Sequence, residues 1–202
     1  MQAGDAMLFS QLTSRKTSHT LPLGVVEDYH TLPLTPMFKL LGVPVLATPR
    51  AWTNPIGMIL PMLVMTAILV PDVGLLERVV LTVFWVLLFE FTSFTHSIGH
   101  IIGGKLAGGV MDRLVVTSTR QVNVYDGDQD HFPPRVHLAR ALGGPVGNLV
   151  VGLLASLAIA MAGYTPSLFL LAVMNLVFGA GAFAPIPSVD GEVLARYLFK
   201  KE

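Results

Sequence analysis

The chemistry in this chain centres on one stretch, Glu90-Phe91-Thr92-Ser93-Phe94-Thr95-His96-Ser97-Ile98-Gly99-His100. Two histidines four apart on a helix share a face, so both imidazoles can reach a single metal ion. Metal-dependent hydrolases commonly place a glutamate directly after the first histidine of such a pair, where it serves as general base. Here that position is Ser97. The spacing therefore supplies metal ligands without the proton acceptor. A lone histidine at a helix end reads best as an interfacial polar residue. Two on one face of an apolar helix, where polar groups are costly, favour a metal site.

Other residues could complete or serve that site. Asp190 follows the Pro185-Ile186-Pro187 break, which turns its side chain back toward the apolar segment. It is a third ligand or, equally, the N-cap of a short C-terminal helix. A fourth, open position would then hold water, as in catalytic zinc sites. Gly143-Gly144-Pro145-Val146-Gly147-Asn148 reads as a helix start, with Pro145 in its first turn and small residues that permit close helix approach. Asn148 needs a hydrogen-bond partner in an apolar setting: another helix, a substrate backbone or a neighbour at the metal. Glu90 shares a face with Ser97 but lies about 10 Å away along the axis, too far for direct proton transfer. It reads better as a protonated carboxyl bonded to a neighbouring helix. Glu192, His131 and His137 are further candidates for a displaced base.

Composition says what must hold these residues. Apolar residues make up 52% of the chain and charged ones 13%, against about 25% charged in soluble domains. The net charge is zero and there is no cysteine. An integral membrane protein follows, with no nucleic-acid partner, no disulfide and no thiolate ligand. The first 30 residues lack the apolar core of a signal peptide, so no cleaved leader is expected. We divide the chain into a polar extension, 1–36, and a membrane domain, 37–202. Four spans are expected, near 51–70, 79–102, 145–162 and 168–184. Pro61 should kink the first. A small hairpin is expected within 103–140, from Leu114–Thr117 and Gln121–Tyr125. Leu40-Leu41-Gly42-Val43-Pro44-Val45-Leu46 reads as one short strand leading to the first span.

Of the 13 Lys and Arg residues, only Arg78 falls between spans on the side opposite both termini. The distribution places both termini in the cytoplasm of a multi-pass protein. Counted from Val79 at a rise of ~1.5 Å per residue, His96 lies about 25 Å along its helix, near the cytoplasmic edge of the bilayer. Asp190 emerges at that edge and Asn148 lies one turn inside it.

Together these motifs resemble the site-2 protease family of intramembrane zinc metalloproteases. That family carries His-Glu-x-x-His on one membrane helix, Gly-Pro-x-x-Asn on the next, and Asn-x-x-Pro-x-x-Pro-Leu-Asp-Gly on a later one. The counterparts here are His96-Ser97-Ile98-Gly99-His100, Gly144-Pro145-Val146-Gly147-Asn148 and Pro185-Ile186-Pro187-Ser188-Val189-Asp190-Gly191, in the same order. Leu41-Gly42-Val43-Pro44-Val45 is similar to the family's strand before its first helix. The resemblance spans about residues 37–195. It implies an all-α membrane fold of about four transmembrane helices with a small cytoplasmic β-hairpin. It also implies zinc ligation by His96, His100 and Asp190, and contact with a substrate or partner through Asn148, Gly144 and Pro145.

The chain departs from the pattern at Ser97, at Ala182 for the usual Asn, at Ser188 for the second Pro, and at Glu192 where Gly is common. A serine hydroxyl does not take a proton from water near neutral pH, and losing a positioned base costs on the order of 10²–10⁴ in rate. The first expectation is therefore a pseudoprotease that keeps a zinc site and binds the membrane-embedded helix of a partner. The alternatives are an active metalloprotease with a displaced base, or a small subunit of a larger membrane complex that holds haem or a pigment. Two imidazoles on one face suit a small ion better than a macrocycle.

Overall fold

The computed structural model describes residues 29–187 and 189–199. Most of the polar extension expected over 1–36 lies outside the described residues, as does Ser188. The elements run β1 (Thr35–Leu40), β2 (Val43–Ala47), α1 (Thr53–Gly57), α2 (Ile59–Leu69), α3 (Leu75–Ala107), β3 (Arg113–Val116), β4 (Gln121–Val124), α4 (Pro134–Ala162), α5 (Pro166–Gly181) and α6 (Asp190–Phe199).

The stretch around residues 40–46 is a hairpin rather than one strand. Leu41 and Gly42 both take positive φ, +50° and +86°, which a two-residue turn needs to match strand twist. β1 and β2 pair antiparallel, β2 runs parallel to β3, and β3 pairs antiparallel with β4. The expected two-stranded hairpin is thus half of a four-stranded mixed sheet in the order β1-β2-β3-β4. No local pattern announces the parallel pairing of Val45 with Leu114, because the partners are separated by three helices, α1 to α3. Val43, Val45, Met111 and Leu114 bury one sheet face against Ile101 on α3. The sheet is thereby fixed to the helix that carries both histidines.

The helices also differ from their expected limits. The first apolar unit breaks at Met58, between α1 and α2. Pro61 explains the position, because its ring clashes with the carbonyl four residues earlier, at Gly57. α3 runs through Gly103 and Gly104 to a left-handed C-cap at Gly108 (φ +79°). There Gly109 N–H donates to the Gly104 carbonyl at 2.7 Å, as in helix ends that stop on glycine. α4 starts at Pro134, so Pro145 lies inside it rather than in its first turn. The true start is Pro133-Pro134, where a missing N–H costs nothing.

Among the described residues, α4 alone is long and apolar enough by itself to cross a membrane; α1–α2 and α5 are shorter apolar helices. At 16 residues, α5 reaches only about 24 Å of a core about 30 Å thick. Four complete spans are therefore not what the helices establish. Their outward faces are nonetheless apolar and exposed, as at Leu60 (67%), Leu76 (79%), Leu87 (60%), Leu153 (62%) and Val177 (63%). Inward, Trp85 is fully buried among Met62, Leu170 and Met174, and its indole N–H donates to Ser167 Oγ at 2.9 Å.

α3 and α4 meet through glycine. A Cβ on Gly99 would overlap the Gly143 carbonyl, one on Gly143 would overlap the Gly99 carbonyl, and one on Gly103 would overlap the Ala139 carbonyl. Only at this close crossing can short side chains on one helix bond to the backbone of the other.

Candidate metal centre

The close crossing places His96 and His100 of α3 against Gly144 of α4, where a Cβ would collide with both rings. From α5 the chain folds back on itself: Ala184 N–H donates to the Gly181 carbonyl, and Gly191 N–H to the Ala182 carbonyl at 2.8 Å. A Cβ on Gly191 would overlap the Phe183 and Ala184 carbonyls. This fold-back puts Asp190, the first residue of α6, over the two imidazoles. One carboxylate oxygen lies 3.0 Å from His96 Nε2 and the other 3.4 Å from His100 Nε2. One donor atom from each of the three residues lies within 4.8 Å of the others. The residues expected as ligands from their separate motifs are brought to one point.

The hydrogen bonds around the rings say what that point can hold. His100 Nδ1 lies 2.6 Å from the Arg140 carbonyl, which can only accept, so Nδ1 carries the proton. His96 Nδ1 lies 3.0 Å from Asn148 Oδ1. The Asn148 amide is oriented by its own donations, to the Thr92 carbonyl at 3.2 Å and to Asn175 Oδ1 at 3.1 Å. Its oxygen therefore faces His96, and this Nδ1 is protonated too. In neutral rings both Nε2 lone pairs then point at a carboxylate. Acceptors gathered this way need additional protons or a cation between them, and a divalent ion satisfies all three at once.

Burial pushes the Asp190 carboxyl up, but hydrogen bonds from His100 and His96 and their charges more than reverse this, holding it down at about 2 against an ordinary 3.8. Its contribution to stability is therefore present above the ordinary carboxylate range and lost as pH falls toward 2. The residues fit a zinc ion by donor type, with one carboxylate and two imidazoles of fixed tautomer.

The centre opens on a cavity of ≈ 670 Å³ walled by α3, β4, α4, α5 and α6. Ser97 is on its wall, 3% exposed, and its Oγ donates to Gln121 Oε1 of β4 at 2.7 Å. The hydroxyl is thus engaged by the sheet. Gln121 Nε2 and Asn123 Oδ1 are buried without a hydrogen-bond partner among the described residues, and both residues line the cavity. Of the carboxylates among the described residues, only Asp190 lines it.

The remaining candidates sit elsewhere. Asn148 is fully buried, with its amide engaged on both sides, and neither it nor Pro145 belongs to the cavity wall. Gly144 is pressed against the imidazoles. Glu90 is also away from the cavity. Its Oε1 is buried without a partner among the described residues, so for that atom the expected bond to a neighbouring helix is missing. Glu192 pairs with Arg196 one turn on, at 2.8 Å. Of His131, in the loop before α4, and His137, in the first turn of α4, only His137 lines the cavity, its ring stacked on Tyr197 at 4.5 Å.

Sequence reasoning missed Gln121, Asn175, Tyr125 and Arg140. The Arg140 guanidinium sits over the Tyr125 and Phe132 rings, at 4.2 and 4.5 Å. It also donates to the Gly109 carbonyl and, at 2.8 Å, to Gln129 Oε1. A cation standing directly before an apolar run was the available signal. Burial pushes the Tyr125 hydroxyl up to about 12, partly offset by the Arg140 charge and raised further by Asp190 and Asp112. It stays a proton donor and is a poor base.

No family model matches this chain, and no curated protein matches it. Among solved structures it is similar to the site-2 protease from Methanocaldococcus jannaschii, with a TM-score of 0.55 and 19% identity, covering 83% of this chain and 72% of that one. At that identity the likeness shows a common fold.

Proposed function

We propose that this chain is a membrane-embedded pseudoprotease on a site-2-protease-like fold: it keeps a zinc-binding centre and holds a partner's membrane segment without cutting it. One observation carries the reading. The residue beside His96 is a serine bonded to Gln121, and among the described residues the only carboxylate on the cavity wall is the one against the imidazoles. A hydrolytic centre needs an acceptor within hydrogen-bond reach of the water it activates. Asp190 is committed to His96 and His100, and Ser97 has no basicity to offer.

In this reading His96, His100 and Asp190 hold the ion, which when bound supplies Lewis acidity toward an oxygen on its open side. The other residues bind and orient. Gln121 and Asn123 line the cavity, and a reorientation of their amides would offer a donor and an acceptor to an entering chain, whose backbone carries both complements. Val177 and Phe178 on the facing wall suit an apolar side chain. The exposed apolar faces and the Lys and Arg distribution support insertion with both termini in the cytoplasm.

The second reading, a metalloprotease with a displaced base, rests on His137, which shares the cavity wall. The test separates the two. Unaltered protein in liposomes is incubated with a panel of single-span proteins, each carrying a photo-crosslinker along its helix. We expect zinc-dependent crosslinks to intact partner and no fragments. Fragments lost in His137→Ala would establish the second reading. Reporter fusions should place residue 75 opposite the C-terminus; the same side for both would reject the topology.

A further inference from the structure

We infer that Asn175 and Thr92 are positioning residues of the metal centre, acting through Asn148 to hold His96 in the tautomer that leaves Nε2 free for an ion. The inference rests on reading His96 as a ligand. Asn175 belongs to none of the motifs by which the site was found; it lies on α5, fully buried. Its Nδ2 donates to Thr92 Oγ1 at 3.0 Å and to the Leu171 carbonyl at 2.9 Å. With both amide hydrogens spent, Asn175 Oδ1 is left as an acceptor, and it faces Asn148 Nδ2 at 3.1 Å. Thr92 Oγ1 donates back to the Leu88 carbonyl at 3.0 Å, so toward Asn175 it can only accept.

Every proton in this chain of bonds is therefore assigned. It starts on a main-chain carbonyl of α3, passes through Thr92 to Asn175 on α5, crosses to Asn148 on α4, and ends at His96 Nδ1. Reversing the Asn148 amide would set its NH₂ against the Nδ1 proton of His96 and its oxygen against Asn175 Oδ1 and the Thr92 carbonyl. That would create three repulsive contacts in a site closed to water, where unpaired polar groups are costly. A simple packing role would be met as well by leucine at 175. The directionality requires the amide.

Outer groups that orient a metal-bound histidine typically contribute 10–100-fold in metal affinity. The experiment uses full-length protein with ¹⁵N-labelled histidine in detergent. It compares wild type with Asn175→Leu, Thr92→Val and Thr92→Ser. Thr92→Val conserves shape and removes the acceptor, while Thr92→Ser keeps it, which guards against an Asn175→Leu that fails to fold. The first readout is the ¹⁵N signature of His96 in metal-free protein at alkaline pH. We expect the Nδ1-protonated form in wild type and Thr92→Ser, and a mixture of tautomers in Asn175→Leu and Thr92→Val. The second is zinc affinity by competition, expected to fall about tenfold or more in the last two and to recover in Thr92→Ser. An unchanged His96 signature in both Asn175→Leu and Thr92→Val would overturn the inference. If wild type takes up no zinc, the metal reading fails by itself and the tautomer signature still decides the roles of Asn175 and Thr92.

Discussion

Asp190→Ala should empty the metal centre. The variant deletes the carboxylate that faces two imidazole nitrogens whose opposite sides are already bonded, leaving two neutral donors and, among the described residues, no anion between them. The loss of zinc affinity should exceed the roughly 10–100-fold that outer groups contribute, so that purified variant holds no stoichiometric zinc. Wild type should hold one ion per chain. His96→Ala should match it. Gly144→Ala should approach both without replacing a ligand, because its methyl would occupy the space of the two rings. Elemental analysis and competition titration check all three. Equal zinc in wild type and Asp190→Ala would reject the centre as drawn. Thermal unfolding should separate the cases further: zinc should raise the midpoint of wild type and not that of Asp190→Ala, since only a folded state that binds the ion is stabilised by it.

How the site was readable follows from which distances are local. The histidine pair is one helical turn, so its spacing alone places both rings on one face. Asp190 is 94 residues from His96, but the Pro-x-Pro break was enough to suggest that its side chain turns back toward the histidines, where it lies. Gln121 was out of reach of such reasoning. It arrives beside Ser97 only because β3 pairs in parallel with β2, and strand order is a tertiary fact. Asn175 was hidden for another reason. Asparagine in an apolar helix signals a need for partners without naming them, and its partners come from two other helices. The helix limits erred where proline was read by rule alone. Pro145 looked like a start because proline favours first turns, yet a buried proline is tolerated mid-helix when neighbouring groups satisfy what it frees. Pro61 behaved as expected, with the break at Met58, three residues before it.

Ser97→Glu is the change expected to alter activity most. In the native protein the Ser97 hydroxyl is held by Gln121 Oε1, while Gln121 Nε2 is buried and unpartnered. Ser97→Ala removes one neutral hydrogen bond, worth about 1 kcal/mol net. It should leave partner binding intact and peptidase activity as negligible as before. A glutamate is different. Rotation of the Gln121 amide would turn its free N–H toward the new carboxylate, so the neighbour that now occupies the serine could orient a base on the same side chain. A positioned general base contributes on the order of 10²–10⁴ in rate, and that is the gain to look for with zinc-loaded Ser97→Glu and a single-span substrate. Gln121→Leu in the same background should reduce it, because the carboxylate would lose its orienting partner. The unaltered protein provides the decisive comparison. Zinc-dependent cleavage by wild type that vanishes in His96→Ala would sink the pseudoprotease reading and move the base to the cavity wall. There His137 is the histidine available in addition to the two at the centre, whereas Glu192 is turned to Arg196. Cleavage by Ser97→Glu alone would mean that the fold retains everything for proteolysis except the proton acceptor, and that a single substitution at position 97 separates holding a membrane segment from cutting it.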